Sequence, residues 1–239
     1  MKEETVLEAV TEVGKRRSAR KVLGFGLILC GIMVILIPKL EAVKVQQNGA
    51  SEIQKIQDHV LDDEKRNALW NEICRYNREL FENGQAEFKD EETVTHPPKM
   101  LENLETDLFG YIAIPAMNCQ LPLYLGASPE NMERGAAVLG GTSVPIGGNN
   151  TNSVIAGHRG WKKNKFFKEI EKLCAGDVVN VTNLWETLNY RVENVEVIEP
   201  DDSEKVKIQE GKDMITLITC HPYRSGGKYR YVVYCVRDV

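Results

Sequence analysis

From Asp107 onward the sequence breaks into short β-rich runs punctuated by Gly, Pro and Asn, at residues 111–114, 121–125, 154–156, 178–182, 187–197, 214–219 and 229–236. Strands this short bury their apolar faces only against one another, so the pattern calls for a sandwich or a barrel. Two helical interruptions are expected within it. One begins at Ser128-Pro129-Glu130, where serine caps and proline takes the first turn, and the other covers residues 165–173.

The N-terminal part has a different character. The basic residues Lys15, Arg16, Arg17, Arg20 and Lys21 directly precede an uninterrupted apolar run at residues 22–37. With Pro38 this run approaches the ~17 residues at which membrane spans begin, and Lys21 and Lys39 can snorkel. The expected reading is a single uncleaved anchor at residues 22–38, with a basic cytoplasmic N-terminus at 1–21 and the rest outside. A cleaved signal peptide is the rival, but Pro38, Lys39 and Leu40 offer no small-x-small cleavage site. A hydrophobic content of 42% over 239 residues suits one globular core plus that segment. The net charge of -5, without any basic tract interleaved with aromatics, argues against a nucleic-acid partner.

Between the anchor and the β-rich part, Ile53, Ile56, Val60, Leu69, Ile73, Tyr76 and Leu80 fall near helical period. Residues 39–106 are therefore expected to form a helical spacer that packs on the main domain. Its last part, residues 84–105, is polar, carries Pro97 and Pro98, and reads as a loop. Residues 107–239 form the main domain.

Of six cysteines, Cys30 lies within the apolar run, and the other five are odd in number and lack disulfide-framework spacing. Cys74, Cys119, Cys174 and Cys235 read as small core hydrophobes. Cys220 differs, because Thr216-Leu217-Ile218-Thr219-Cys220 delivers it at a strand tip. Sixty-two residues upstream, Asn152-Ser153-Val154-Ile155-Ala156-Gly157-His158-Arg159 ends another strand on an imidazole. The other histidines are poorer partners: His59 is in the helical segment, His96 in the proline loop, and His221 on the face opposite Cys220. A free thiol with a pKa near ~8.5 needs nearby positive charge to act as a nucleophile, and His158 and Arg230 both offer it, with Arg224 and Lys228 as competing cations. The bland alternatives are a histidine bonded to a carbonyl at a loop entrance and an edge-strand surface arginine.

Metal and nucleotide chemistry find little support. No Cys-x-x-Cys or His-x-x-x-His pair is present, and Glu199, Asp201, Asp202 and Glu204 lack calcium-loop spacing and read as a solvated loop. Gly140-Gly141 and Gly147-Gly148 are not followed by Lys-Ser/Thr, so they read as turns rather than a phosphate loop. No cofactor is expected.

The strings TLITC, NSVIAGHRG, GYIAIP at residues 110–115 and LPLYLG at 121–126 resemble the sortases, Gram-positive surface transpeptidases, over residues 107–236. Within that family, residues 140–150 and Glu199-Pro200-Asp201-Asp202 most resemble the pilus-assembling class C. One departure points elsewhere, since Arg230 lies ten positions after Cys220, one more than expected for class C and closer to class B.

The resemblance implies a mainly β fold: an eight-stranded barrel with short helices, preceded by an N-terminal helical segment and one transmembrane helix. It assigns Cys220 as nucleophile, His158 as general acid/base and Arg230 to oxyanion and substrate stabilisation. Thr219, Val197, Ile198 and Ile208 would contact the Leu-Pro of a Leu-Pro-x-Thr-Gly-like sorting signal. Asp90, in Phe88-Lys89-Asp90-Glu91-Glu92, is the nearest match to the anchor of the class C lid, though without its proline and aromatic. The implied partners are sorting-signal-bearing surface proteins or pilins and an amine acceptor. That amine is expected to be a pilin lysine. A peptidoglycan cross-bridge is the alternative, suggested by the weak lid match and by the missing second membrane segment after Val239 that pilus enzymes often carry. A non-catalytic surface-binding domain is the alternative of another class.

Overall fold

A computed structural model describes residues 63–86, 88, 91–101, 106–160 and 164–238. The expected anchor at 22–38, the first half of the expected helical run and Asp90 lie outside the described residues.

Eight strands form a closed barrel: β1 (Leu108–Ile114), β2 (Cys119–Leu125), β3 (Ala136–Val138), β4 (Thr151–Ala156), β5 (Val178–Thr182), β6 (Thr187–Ile198), β7 (Asp213–His221) and β8 (Tyr229–Arg237). They are hydrogen-bonded in the order β1-β2-β3-β4-β7-β8-β6-β5, with β5 returning to β1, so no strand presents an open edge. Two neighbouring pairs, β2/β3 and β4/β7, are parallel; the other six are antiparallel. Seven strands correspond to the runs visible in the sequence. The eighth, β3, is the three-residue Ala136-Ala137-Val138, too short to display a period of two.

The period-two pattern decides what fills the interior. Ile155 of β4, Ile215 and Leu217 of β7, and Val233 and Cys235 of β8 point inward and join Leu188, Tyr190 and Val192 of β6 in the main core. Their neighbours point outward. Val154, Met214, Val232 and Tyr234 gather with Ile198 and Val206 into a second apolar cluster on the outer face.

Helix α1 (Asp63–Glu82) closes the other side of the main core through Leu69 and Ile73. Its polar grip is specific. The Asn77 amide donates to the Val144 carbonyl at 3.0 Å while its oxygen accepts from the Val144 N–H at 2.9 Å, which satisfies a buried loop peptide. Trp70 meets Trp185 edge-on with ring centroids 5.1 Å apart.

Residues 84–105 are more ordered than the loop their composition suggests. They contain helix α2 (Glu91–Thr95) and a 3-10 turn (Lys99–Leu101). Buried Phe88 inserts into the outer cluster, with Val94 packed beside it. The Val94 carbonyl accepts from the Gly140 and Ala127 N–H groups, and a Cβ on Gly140 would lie only 1.9 Å from the Thr93 carbonyl oxygen. Gly140 thus serves close approach of two backbones as well as turning the chain. The loop reading fails because one aromatic and a few backbone bonds, not a periodic pattern, hold this segment.

Helix α3 (Pro129–Arg134) starts as expected, with the Ser128 hydroxyl accepting from the Asn131 N–H at 3.2 Å. At residues 165–173 only a 3-10 turn forms, at Ile170–Lys172. Phe166 adopts φ 41°, outside helical space, so that it and Phe167 can both be buried.

Ile73 is wholly buried where α1 meets the barrel. Ile73→Ala should destabilise the protein by about 2–5 kcal/mol, measured as a lowered denaturant midpoint. An unchanged midpoint would show that α1 contributes nothing to barrel stability.

Candidate active site

Every pair in the parallel β4/β7 ladder, from Thr151 beside Asp213 to Ala156 beside Ile218, is 62 positions apart in sequence. Extending that offset two residues past β4 brings His158 level with Cys220. On the other side of β7, Cys220 is paired with Arg230, and Arg230 with Ile198 of β6. Neighbouring strands lie ~4.8 Å apart, so Cys220, Arg230 and Ile198 form one row across adjacent strands, with His158 two residues beyond the end of β4 on the other side of β7. Alternation puts Cys220, Arg230 and Ile198 on the outer face, with the second apolar cluster.

Short hydrogen bonds fix the two strand ends together. The Gly157 N–H donates to the Ile218 carbonyl at 3.2 Å, and the Thr219 hydroxyl donates to the Gly157 carbonyl at 2.6 Å. Gly157 also leaves room for the Phe167 ring, which a Cβ would meet at 2.6 Å.

Cys220 is exposed. The turn from β7 to β8 brings Gly227 between it and Arg230: a Cβ built there would lie 3.0 Å from Arg230 Nη1 and 3.2 Å from Cys220 Sγ. Sulfur and guanidinium therefore converge on one point. Arg230 is held from behind, its Nη1 donating to the Gly227 carbonyl at 2.7 Å and the Tyr229 carbonyl at 3.2 Å. Among the described residues its Nη2 and Nε have no such partner, so they can serve an anionic oxygen near the sulfur. The competing cations are placed differently, with Arg224 over the ring of Tyr223 and Lys228 over that of Tyr229.

His158 is half-buried, with the Phe166 ring nearly perpendicular to it at 6.2 Å between centroids. Burial holds its pKa below the ordinary imidazole value, opposed by the negative charge of Glu133. At neutral pH the imidazole is then chiefly uncharged. The expectation that His158 and Arg230 share the task of supplying positive charge is revised, because the permanent cation is Arg230.

Of the residues expected to contact substrate, Ile198 stands in the row beside Arg230. Val197 and Thr219 do not. Both pair with Tyr231 and so occupy the next row, on the opposite face, where Thr219 is buried against Gly157 and Val197 is exposed. One step along an extended strand reverses a side chain, which sets these two apart from the row. The Ile208 N–H donates to Gln85 Oε1 at 2.6 Å, tying that connection to the end of α1, and Ile208 lies outside the row.

His221 faces away from the sulfur, as alternation requires. Its Nδ1 lies 3.2 Å from Glu171 Oε1 and 3.3 Å from Arg159 Nη1. Arg159, although it follows His158 directly, was not distinguished by sequence reasoning. The available signal was its place directly after His158, which by alternation turns it to the face that His221 also occupies.

All five described cysteines are free thiols. Burial pushes Cys119 up to about 12 and Cys235 well above its ordinary value, which makes both inert. Cys74 and Cys174 are exposed, contrary to their reading as core residues. Each follows a buried residue, Ile73 and Leu173, and turns to the solvent side. Among the described residues no cluster of His, Cys, Asp and Glu could hold a metal. A groove of about 1140 Å³ between α1 and residues 85–100, lined by Tyr76, Leu80, Phe88 and Met100, contains none of the row residues.

Residues 112–238 match the family model of the sortase domain. Sortase A of Bacillus anthracis is 32% identical over 157 residues, 64% of this chain and 72% of that protein. A Clostridium perfringens sortase C, solved with the C-terminal cell wall sorting motif, is 37% identical with a TM-score of 0.69, covering 81% of this chain and 98% of the other. The pilus-related sortase C of Group B Streptococcus is 29% identical with a TM-score of 0.70, covering 79% and 97%. A barrel with this strand order, a cysteine and an arginine facing each other at its rim, and agreement over most of three relatives place the chain in the sortase family of cysteine transpeptidases, with structural likeness to class C.

Proposed function

We propose that this sortase is a membrane-anchored transpeptidase that cleaves a Leu-Pro-x-Thr-Gly-like sorting signal through Cys220 and passes the acyl group to a pilin lysine. The observation that carries the reading is the pairing of Cys220 with Arg230 across β7 and β8, with His158 two residues beyond the end of the adjacent β4. The sorting motif solved with the C. perfringens sortase C supports the substrate class, and the pilus-related streptococcal neighbour supports the acceptor. The apolar run at residues 22–37 behind its basic cluster supports an anchor with the catalytic domain outside the cell.

In this mechanism His158 takes the Cys220 proton, the resulting thiolate attacks the Thr carbonyl carbon, and the oxyanion forms against Arg230. As the tetrahedral intermediate collapses, the Thr–Gly C–N bond breaks and the departing amine takes a proton from His158. A thioester to Cys220 remains. The lysine amine then attacks it, His158 removes the amine's proton, and expulsion of the thiolate yields a new amide. One peptide bond is exchanged for another, so no nucleotide or metal is required. Ile198, beside Arg230 on the apolar outer face, supplies surface for the Leu-Pro side chains.

Cys220→Ala should abolish cleavage of a Leu-Pro-x-Thr-Gly peptide and remove the acyl adduct that mass spectrometry finds on the wild-type thiol. Turnover retained in that variant would overturn the reading. Arg230→Met should lower kcat by ~10²–10³, as loss of an oxyanion donor does. Product analysis tests the acceptor, since covalent subunit ladders support the lysine and exclusively wall-linked monomers contradict it.

The pH profile tests His158. Glu133 raises the imidazole pKa, so Glu133→Gln should lower it and move the acid limb of kcat/KM to lower pH. An unmoved or raised limb would show that Glu133 does not act on the group controlling that limb.

A further inference from the structure

We propose that Arg159 is a positioning residue that fixes the backbone of Cys220 from the face opposite the reactive row. The inference rests on Cys220 being the nucleophile.

The β4/β7 ladder explains the need for such a residue. Its last rung is the Gly157 N–H donating to the Ile218 carbonyl. Two residues further, the same pattern would pair the Arg159 N–H with the Cys220 carbonyl, but the chain leaves the sheet at that point. In place of the missing backbone donor, the Arg159 side chain reaches back. Its Nη1 donates to the Cys220 carbonyl at 3.3 Å, so a guanidinium supplies the rung the main chain gives up.

The same side chain is held by the segment on its other side. Nη2 lies 2.8 Å from Glu171 Oε1, and Nε donates to the Lys168 carbonyl at 3.4 Å. The Arg159 side chain is only 5% exposed, and a guanidinium that deeply buried is tolerable only when its donors are matched. Its hydrogen bond holds the Glu171 carboxyl below the usual carboxylate range, so the pair stays ionic at neutral pH. Ile170, buried beside Glu171, fixes the carboxylate's segment in the main core. The Tyr231 ring lies 5.8 Å from the guanidinium carbon and 5.6 Å from the His221 ring, completing the packed layer behind the nucleophile.

This arrangement bridges the barrel end to residues 168–171 through one planar fork, which a lysine cannot reproduce. Without it, Cys220 keeps its β8 pairing to Arg230 but loses its last tie on the His158 side. The separation of sulfur and imidazole then relaxes, and misplacement near 1 Å costs up to ~10²-fold in rate. Binding of the substrate's Leu-Pro, on the other face, does not depend on this fork. The consequence is a loss in kcat with KM preserved. A sulfur displaced from its place beside Arg230 is also a poorer nucleophile toward an alkylating agent.

The test uses the full chain with Arg159→Gln, Arg159→Lys, Glu171→Gln and Cys220→Ala. Three quantities are measured: melting temperature, kcat and KM for a Leu-Pro-x-Thr-Gly peptide, and the rate of Cys220 alkylation by iodoacetamide. Alkylation is followed site by site in a mass spectrometer, because Cys74 and Cys174 are also exposed. Arg159→Gln should lower kcat by about tenfold or more with KM within about twofold, and should slow Cys220 alkylation at neutral pH. Arg159→Lys should recover part of both, and Glu171→Gln should show a smaller loss in the same direction with a lowered melting temperature, because it leaves the buried guanidinium without its anion. Wild-type kcat and alkylation in a folded Arg159→Gln, or an effect confined to KM, would overturn the proposal. If Arg159→Gln does not fold, Glu171→Gln decides, and wild-type behaviour there is equally fatal. If the wild type does not cleave the peptide, the alkylation rates decide. Turnover by Cys220→Ala would instead remove the nucleophile reading, a separate outcome.

Discussion

Consecutive side chains on an extended backbone cannot share a face, and the rim of this barrel depends on that rule. It splits the ends of β7 and β8 into two layers a residue apart. Cys220, Arg230 and Ile198 fall in the outer layer, while Thr219, His221, Tyr231 and Val197 fall in the other. Chemistry and support are thereby separated without any dedicated domain. The layer behind the nucleophile is packed and ion-paired, so the layer in front can stay open to solvent and substrate.

The electrostatics divide along the same line. In front, Arg230 is a fixed charge tethered by backbone carbonyls, and His158 is a desolvated base kept chiefly neutral. Behind, Arg159 and Glu171 form a pair that stays charged. The barrel thus places one cation on each face of the strand that carries the sulfur, one turned toward the reaction and one toward the fold.

Most of the barrel was legible in the sequence because seven strands are β-rich runs set off by Gly, Pro and Asn. The eighth, Ala136–Val138, carried no signal, and its presence was expected only through the family resemblance. The spacing of 62 between His158 and Cys220 was readable as a number, but its meaning as a parallel register emerged only with the ladder itself. Val197 and Thr219 stand off the row of Ile198, Arg230 and Cys220 because neighbouring members of one strand alternate between faces, which a sequence segment does not display. The docking of residues 85–101 and the role of Arg159 were hidden for a common reason. Each rests on one side chain, Phe88 or Arg159, whose partners are brought together only by tertiary contact.

The β4/β7 register also governs which changes in chain length the enzyme can absorb. One residue inserted within β4 would turn the imidazole toward the barrel interior, and two would restore its face but displace it by ~6.5 Å along the strand. Neither leaves a working pair. The looped part of the long connection between His158 and Asp213, outside residues 166–171, β5 and β6, lies clear of that ladder, so insertions and deletions there leave the alignment of the two reactive groups untouched. Length variation among natural or engineered versions should therefore accumulate in that connection and be purged from the six residues of β4.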